Sequence, residues 1–125
     1  MATVITNVGK GIAAKRMLGA SPAQAEPKFL GIGTGVHTAA ATDTALTTEV
    51  ETRSGTNAGT TVTTTQTNDT YQVIQTITAT ATRSIVEAGL FDASTAGNMF
   101  LSADFASVGL VSGDSIQVTA KCQFT

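Results

Sequence analysis

The chain has 125 residues, 42% of them apolar and only 13% charged, with a formal net charge of −2. One Cys (Cys122) and one His (His37) exclude, within a single chain, a disulfide framework and a multi-ligand Cys/His zinc site, and seven cations are too few for phosphate-backbone binding as the main task. Threonine takes the place of charge, with 24 Thr beside 19 Ala and 12 Gly. The length fits one compact domain that can bury its own core. No run reaches the roughly 18 apolar residues of a membrane span. The start of the chain lacks the basic opening and long apolar stretch of a secretory signal, so a protein made and kept in a cytoplasm, or assembled there into something larger, is expected.

Thr3 to Gly19 reads as a short helix or helix-like arm, because Val4, Ile5, Val8 and Ile12 fall on one side of a helical wheel. Thr6 or Asn7 is the candidate cap, and Gly19 before Ser21-Pro22 the candidate stop. Gly9 and Gly11 oppose this helix by about 1 kcal/mol each relative to Ala. Residues 1–28 hold four cations (Lys10, Lys15, Arg16, Lys28) against Glu26, a net +3, whereas residues 29–125 hold three cations against eight anions, a net −5. A basic arm on an acidic body can dock on a copy of itself or on an acidic neighbour, and the plainer reading is a solvated helix face.

Ala20 to Glu26 is a small-residue connector, and Lys28 to Gly33 a short apolar strand. Thr34 to Ala45 is a polar loop, Leu46 to Ser54 alternates weakly, and Gly55 to Gly59 is a turn cluster. Thr60 to Thr67 is β-prone and ends at the turn signal Asn68-Asp69. From Tyr71 the alternation is clear: Tyr71, Val73, Ile77, Ala79 and Ala81 share one side, with Gln75 the exception, and Thr76, Thr78, Thr80 and Thr82 share the other. The rhythm breaks near Arg83–Val86, where a bulge is expected. Ala93–Asn98 is a turn, Met99 to Phe105 a strand, and Val108 to Val111 leads into the turn Ser112–Asp114. Ser115 to Phe124 alternates again, with Ile116, Val118, Ala120, Cys122 and Phe124 on the apolar side. Six or seven short strands with turns every 8–12 residues predict an all-β, antiparallel β-sandwich or jelly-roll-like domain. The predicted division is an N-terminal arm and connector over residues 1–27 and a single β-sandwich domain over residues 28–125.

The candidate chemistry is thin. Gly31-Ile-Gly33-Thr-Gly35 lacks the spacing and the following helix of a phosphate loop, and reads as a place where a strand bends into a loop. His37 has no visible nucleophile elbow to serve. Cys122 sits on an apolar strand face, where a thiol behaves as a small hydrophobe. Glu49 and Glu51, two apart on a strand, share one face with Arg53, which can simply pair with them on a solvated strand face, the better reading; with Asp43 nearby, a weak Ca²⁺ site is the conceivable alternative. The threonine row Thr76, Thr78, Thr80, Thr82 is the least ordinary feature: a charge-poor strand face suited to contact between subunits.

Five stretches, Thr6–Gly19 (TNVGKGIAAKRMLG), Lys28–Gly35 (KFLGIGTG), Ala41–Glu49 (ATDTALTTE), Ile85–Asp92 (IVEAGLFD) and Gly113–Thr119 (GDSIQVT), occur in an order that resembles small tailed-phage virion proteins. These are proteins of the kind that decorate or cement capsids and are often loosely labelled tail-fibre proteins. The resemblance implies a β-rich, non-enzymatic virion component without cofactors, made in the host cytoplasm and located on the capsid surface. It also implies the major capsid protein and other copies of the chain, as a homotrimer, for partners, with no nucleic acid and no membrane. On this expectation Val4, Ile5, Val8, Lys10, Ile12, Lys15 and Arg16 form a capsid- or neighbour-binding arm, and Thr76, Thr78, Thr80 and Thr82 a subunit interface. The alternatives are a tail- or fibre-associated structural protein and a carbohydrate-binding sandwich. For the latter, Tyr71 and five Phe are a thin supply of stacking surfaces.

Overall fold

The alternating segments of the sequence assemble into two antiparallel sheets. The computed structural model of the protein describes residues 2–19 and 24–125; residues 20–23 of the expected connector lie outside them. The elements are β1 (Ala2–Ile5), α1 (Asn7–Leu18), β2 (Phe29–Gly33), β3 (Glu49–Ser54), β4 (Thr60–Val62), β5 (Thr70–Thr78), β6 (Arg83–Phe91), β7 (Met99–Leu110) and β8 (Ser115–Gln123). One sheet has the order β1-β7-β6-β2-β3 and the other β4-β5-β8. Every neighbouring pair is antiparallel. The protein is an all-β sandwich with one short helix.

The core lies between the sheets. Leu30 and Ile32 of β2, Ile85, Ala88 and Leu90 of β6 and Leu101 of β7 meet Val73 and Ile77 of β5, and Ile12 of α1 joins them. Each such side chain contributes about 1.5–3 kcal/mol when fully buried. Successive residues of a strand point to opposite faces, so Phe91 and Met99 fall on the far side of the larger sheet. There the loop between β2 and β3 lays Leu46 over them as a second, smaller cluster. β6 is therefore covered on both faces from Glu87 to Phe91.

Several expectations are corrected. Val4 and Ile5 are in a strand, not a helix: Val4 pairs with Ser102 and Ile5 with Leu101 of β7. The β-branched pair fits either period, and pairing with β7 decides it. Thr6 then makes the turn. Its extended backbone ends β1, its hydroxyl accepts from Gly9 N–H at 2.8 Å as the helix cap, and it donates to the Met99 carbonyl at 2.6 Å. Gly9 is what lets α1 lie on β7, since a Cβ there would stand 2.3 Å from the Phe100 carbonyl oxygen. Gly19 ends α1 in the left-handed conformation.

The β-prone run 60–67 forms a strand only over Thr60–Val62. Beyond it the Asp69 carboxylate accepts from the N–H groups of Thr64, Thr65 and Gln66 and holds them in a loop. Met99–Phe105 and residues 108–110 lie on one strand, β7, and Val111 follows its end. Phe124 lies past the end of β8 and is exposed rather than buried. β5 ends at Thr78, so Thr80 and Thr82 are not on the strand. The expected bulge is present, as a register shift between Ile85 and Glu87.

Candidate interaction surface

The expected arm residues divide into two groups. Ile12 is buried in the core and Ile5 packs against it, so both are committed to the body. Val8, Lys10, Lys15 and Arg16 face solvent on α1, and Val4 is half-buried in β1. The C-terminal end of α1 carries two bare apolar side chains, Met17 at 87% and Leu18 at 77% exposure. Ile12, Arg16 and Met17 form one wall of a groove of about 500 Å³, and Pro27, Tyr71 and Phe124 line the rest. The Tyr71 hydroxyl shares its one proton between Glu26 at 3.2 Å and the Pro27 carbonyl at 3.1 Å. Burial and the neighbouring Glu26 carboxylate raise its pKa well above the ordinary phenol value.

The threonine row is only partly a strand face. Thr76 and Thr78 are exposed on β5, and the Thr78 hydroxyl is 2.9 Å from that of Ser115. Thr80 follows the strand and is held by Glu51, which accepts from both its N–H and its hydroxyl. Thr82 is exposed in the turn before β6.

The three acids of the conceivable cation site are separated by their partners. The register of β2 against β3 shifts between Leu30 and Ile32, and Glu51 sits in that bulge at φ +64°. The bulge breaks the two-residue period, so Glu49 and Glu51 do not act together. Glu49 takes Arg53, with contacts of 2.7 and 3.0 Å to both carboxylate oxygens. Glu51 takes Thr80 and, at 3.2 Å, Arg83. The Thr80 bonds, helped by Arg83, hold the Glu51 pKa below its usual value against the opposing effect of burial. Arg53 also donates to the carbonyls of Ala93 and Ala96 and lies 3.5 Å over the Phe91 ring, tying β3 to the turn after β6.

Asp43 is in a third place. Burial works against its charge, but the Ser102 hydroxyl, the Ala40 N–H and adjacent His37 outweigh it, and the pKa is lowered. Among the described residues no group of three or more His, Cys, Asp or Glu side chains is arranged to hold a metal ion. Cys122 is buried, and burial pushes its thiol pKa up, away from the reactive thiolate.

The glycine run does hold an anion, but the anion is the protein's own Glu87. Glu87 is 0% exposed, and its carboxylate accepts from the N–H groups of Gly35 at 2.9 Å and of Thr47 and Thr48 at 2.8 Å. A Cβ at Gly33 would stand 2.5 Å from that carboxylate. His37 lies between Glu87 and Asp43, each of its nitrogens 3.4 Å from one carboxylate oxygen. Both carboxylates are already engaged by backbone N–H groups, so the cluster clamps the 34–48 loop onto the sheet.

The second edge of β8 is the remaining surface. Its polar face presents Ser115, Gln117, Thr119, Lys121 and Gln123, all exposed. Nothing in its composition singled it out in the sequence; its position as a sheet edge appears only in the fold. In comparison with known proteins, the sequence model of the family described as podophage GP4 fiber I protein gp80 matches residues 13–122. No curated protein and no solved structure matches the chain.

Proposed function

Because the chain belongs to the podophage GP4 fiber I protein gp80 family and is thus a structural protein of the phage virion or fibre type, we propose that it is a non-enzymatic building subunit of a fibre on a podophage particle. The family match across residues 13–122 carries this reading. The folded chemistry supports it: Asp43, Glu49, Glu51 and Glu87 each have a hydrogen-bond partner within the body, and His37 stands between two of these carboxylates with neither ring nitrogen hydrogen-bonded. Self-association belongs to the proposal, with a threefold contact through Thr76 and Thr78 as the expected form.

Capsid decoration is the second reading. It is favoured by the exposure of Lys10, Lys15 and Arg16 on α1, which makes a basic patch on a body of opposite net charge. Immunogold labelling of whole particles separates the two. Label confined to fibres supports the fibre reading, and label spread over the head shell overturns it in favour of decoration.

A further inference from the structure

A sheet edge is a row of unpaired backbone N–H and C=O groups, and edges are normally blunted by shortness, bulges or charge. Three of the four outermost strands here are short or bulged, although β1 reaches only residues 101–104 of β7 and β4 only residues 70–72 of β5. β1 has four residues and β4 three, and β3 carries the Glu51 bulge with Glu49 and Arg53 beside it. β8 is different. It runs nine residues, keeps register with β5 from Ser115 to Gln123, and carries a single charge, Lys121. Among the described residues no strand pairs with its second edge.

Two bonds fix which backbone groups point outward. Ala79 N–H donates to the Asp114 carbonyl, and Phe124 N–H to that of Asp69. Hydrogen-bonded positions alternate in an antiparallel pair. Ile116, Val118, Ala120 and Cys122 therefore turn their backbone groups toward β5, and Ser115, Gln117, Thr119, Lys121 and Gln123 turn theirs to the free edge.

We infer that the free edge of β8 pairs antiparallel with β8 of a second copy of this chain, about a two-fold axis at Thr119. Antiparallel pairing sets outward-bonding residues opposite one another. Centred on the strand, it places Thr119 opposite Thr119, Gln117 opposite Lys121 and Ser115 opposite Gln123 of the second copy. No like charges meet, because each Lys121 faces an amide. On the inner face Val118 meets Ala120 of the second copy at the mouth of a gap of about 80 Å³ between the sheets, which these two residues already line with Leu101 and Phe105. The edge is thus complementary to itself in backbone phase, charge and side-chain size, which is what a two-fold contact requires. The two β4-β5-β8 sheets become one sheet of twice the width. The contact uses the edge and leaves the Thr76 and Thr78 face free, so a threefold contact there is compatible with it, and the inference does not depend on where the particle carries the protein.

The test is the mass of the purified full chain by light scattering over a concentration series, for wild type, Thr119→Lys and Gln117→Glu. Thr119→Lys puts two like charges opposite each other at the axis and raises the dissociation constant about tenfold or more. Gln117→Glu sets a carboxylate opposite Lys121 twice per pair and lowers it about two- to tenfold at low salt. Circular-dichroism melts establish that each variant is folded. An even-numbered wild-type assembly that halves with Thr119→Lys and tightens with Gln117→Glu supports the inference. A wild type that stays monomeric or odd-numbered up to about 1 mM, or an even assembly indifferent to both substitutions, overturns it. Failure here leaves the particle-labelling result untouched, so the two proposals fall separately.

Discussion

The two ends of the sandwich handle their polar groups in opposite ways. Around the 34–48 loop and β3, backbone N–H groups, carboxylates and one guanidinium are matched internally: Glu87 takes three N–H groups, Glu49 takes Arg53, and Arg53 takes two carbonyls as well. Along the outer edge of β8, the backbone groups of five residues have no strand beside them among the described residues. Both regions are rich in small and polar residues, and composition does not distinguish them. The difference lies in where the hydrogen bonds close. The first region holds the fold together, and the second is available to hold copies together.

Substitutions sharpen that contrast. Glu87→Ala should have the largest effect, a loss of about 3–5 kcal/mol in denaturant unfolding, because three N–H groups are left unpaired around a buried void. That is much of the stability of an ordinary domain. Arg53→Ala removes a two-pronged ion pair, two carbonyl bonds and the stack on Phe91, and is expected to cost about 2–3 kcal/mol. A cost below about 0.5 kcal/mol would show that β3 is anchored by something else.

A pair of glycines gives effects of opposite sign. Gly9→Ala forces a Cβ onto the Phe100 carbonyl and should destabilise by about 1–3 kcal/mol despite better helix propensity. Gly11→Ala, with no atom within 4 Å of its Cβ, should gain up to about 1 kcal/mol. Asp69→Asn should show a smaller, pH-shaped effect. The Gln66 N–H first, then those of Thr64 and Thr65 with the Gln123 amide, lower the Asp69 pKa below its usual 3.8. A depressed carboxylate pKa adds stability that is present above the unfolded value and is lost as pH falls through the folded one. Wild type should therefore melt higher than the variant at neutral pH, and the two melting curves should converge in strong acid. The smallest effect belongs to the bare edge: Thr119→Lys should leave the unfolding free energy per chain, measured below the association range, within about 0.5 kcal/mol.

What could be read in advance was local. The alternation of β5 and β8, the turns at Asn68-Asp69 and Ser112–Asp114, and the bulge before Glu87 each depend on neighbours a few residues away. Gln75, the one polar residue in the apolar row of β5, is fully buried and bonds to the carbonyls of Lys28 and Asn57. The interruption was itself the sign of a buried polar cross-link. Glu87 carries a similar sign, an acid within the apolar run Ile85–Phe91, but a net-charge count does not tell a buried acid from an exposed one. Its partners lie about 40 to 50 residues away in sequence, and no periodicity reports contacts at that range. The same holds for Glu51, whose two-residue spacing from Glu49 is undone by a bulge, and for Val4 and Ile5, whose strand exists only because β7 arrives to pair with it.

That last pairing has a kinetic side. Ala2 faces Asp104 and Ile5 faces Leu101, and the Thr6 cap needs the Met99 carbonyl. The N-terminal strand thus closes a loop that spans most of the chain, and the entropy of closure must be met before any contact repays it. Sandwiches of such high contact order fold over roughly milliseconds to seconds. β1 is synthesised long before the β7 it pairs with, and until β7 has been made, Val4 and Ile5 are open to a chaperone or to a neighbouring nascent chain.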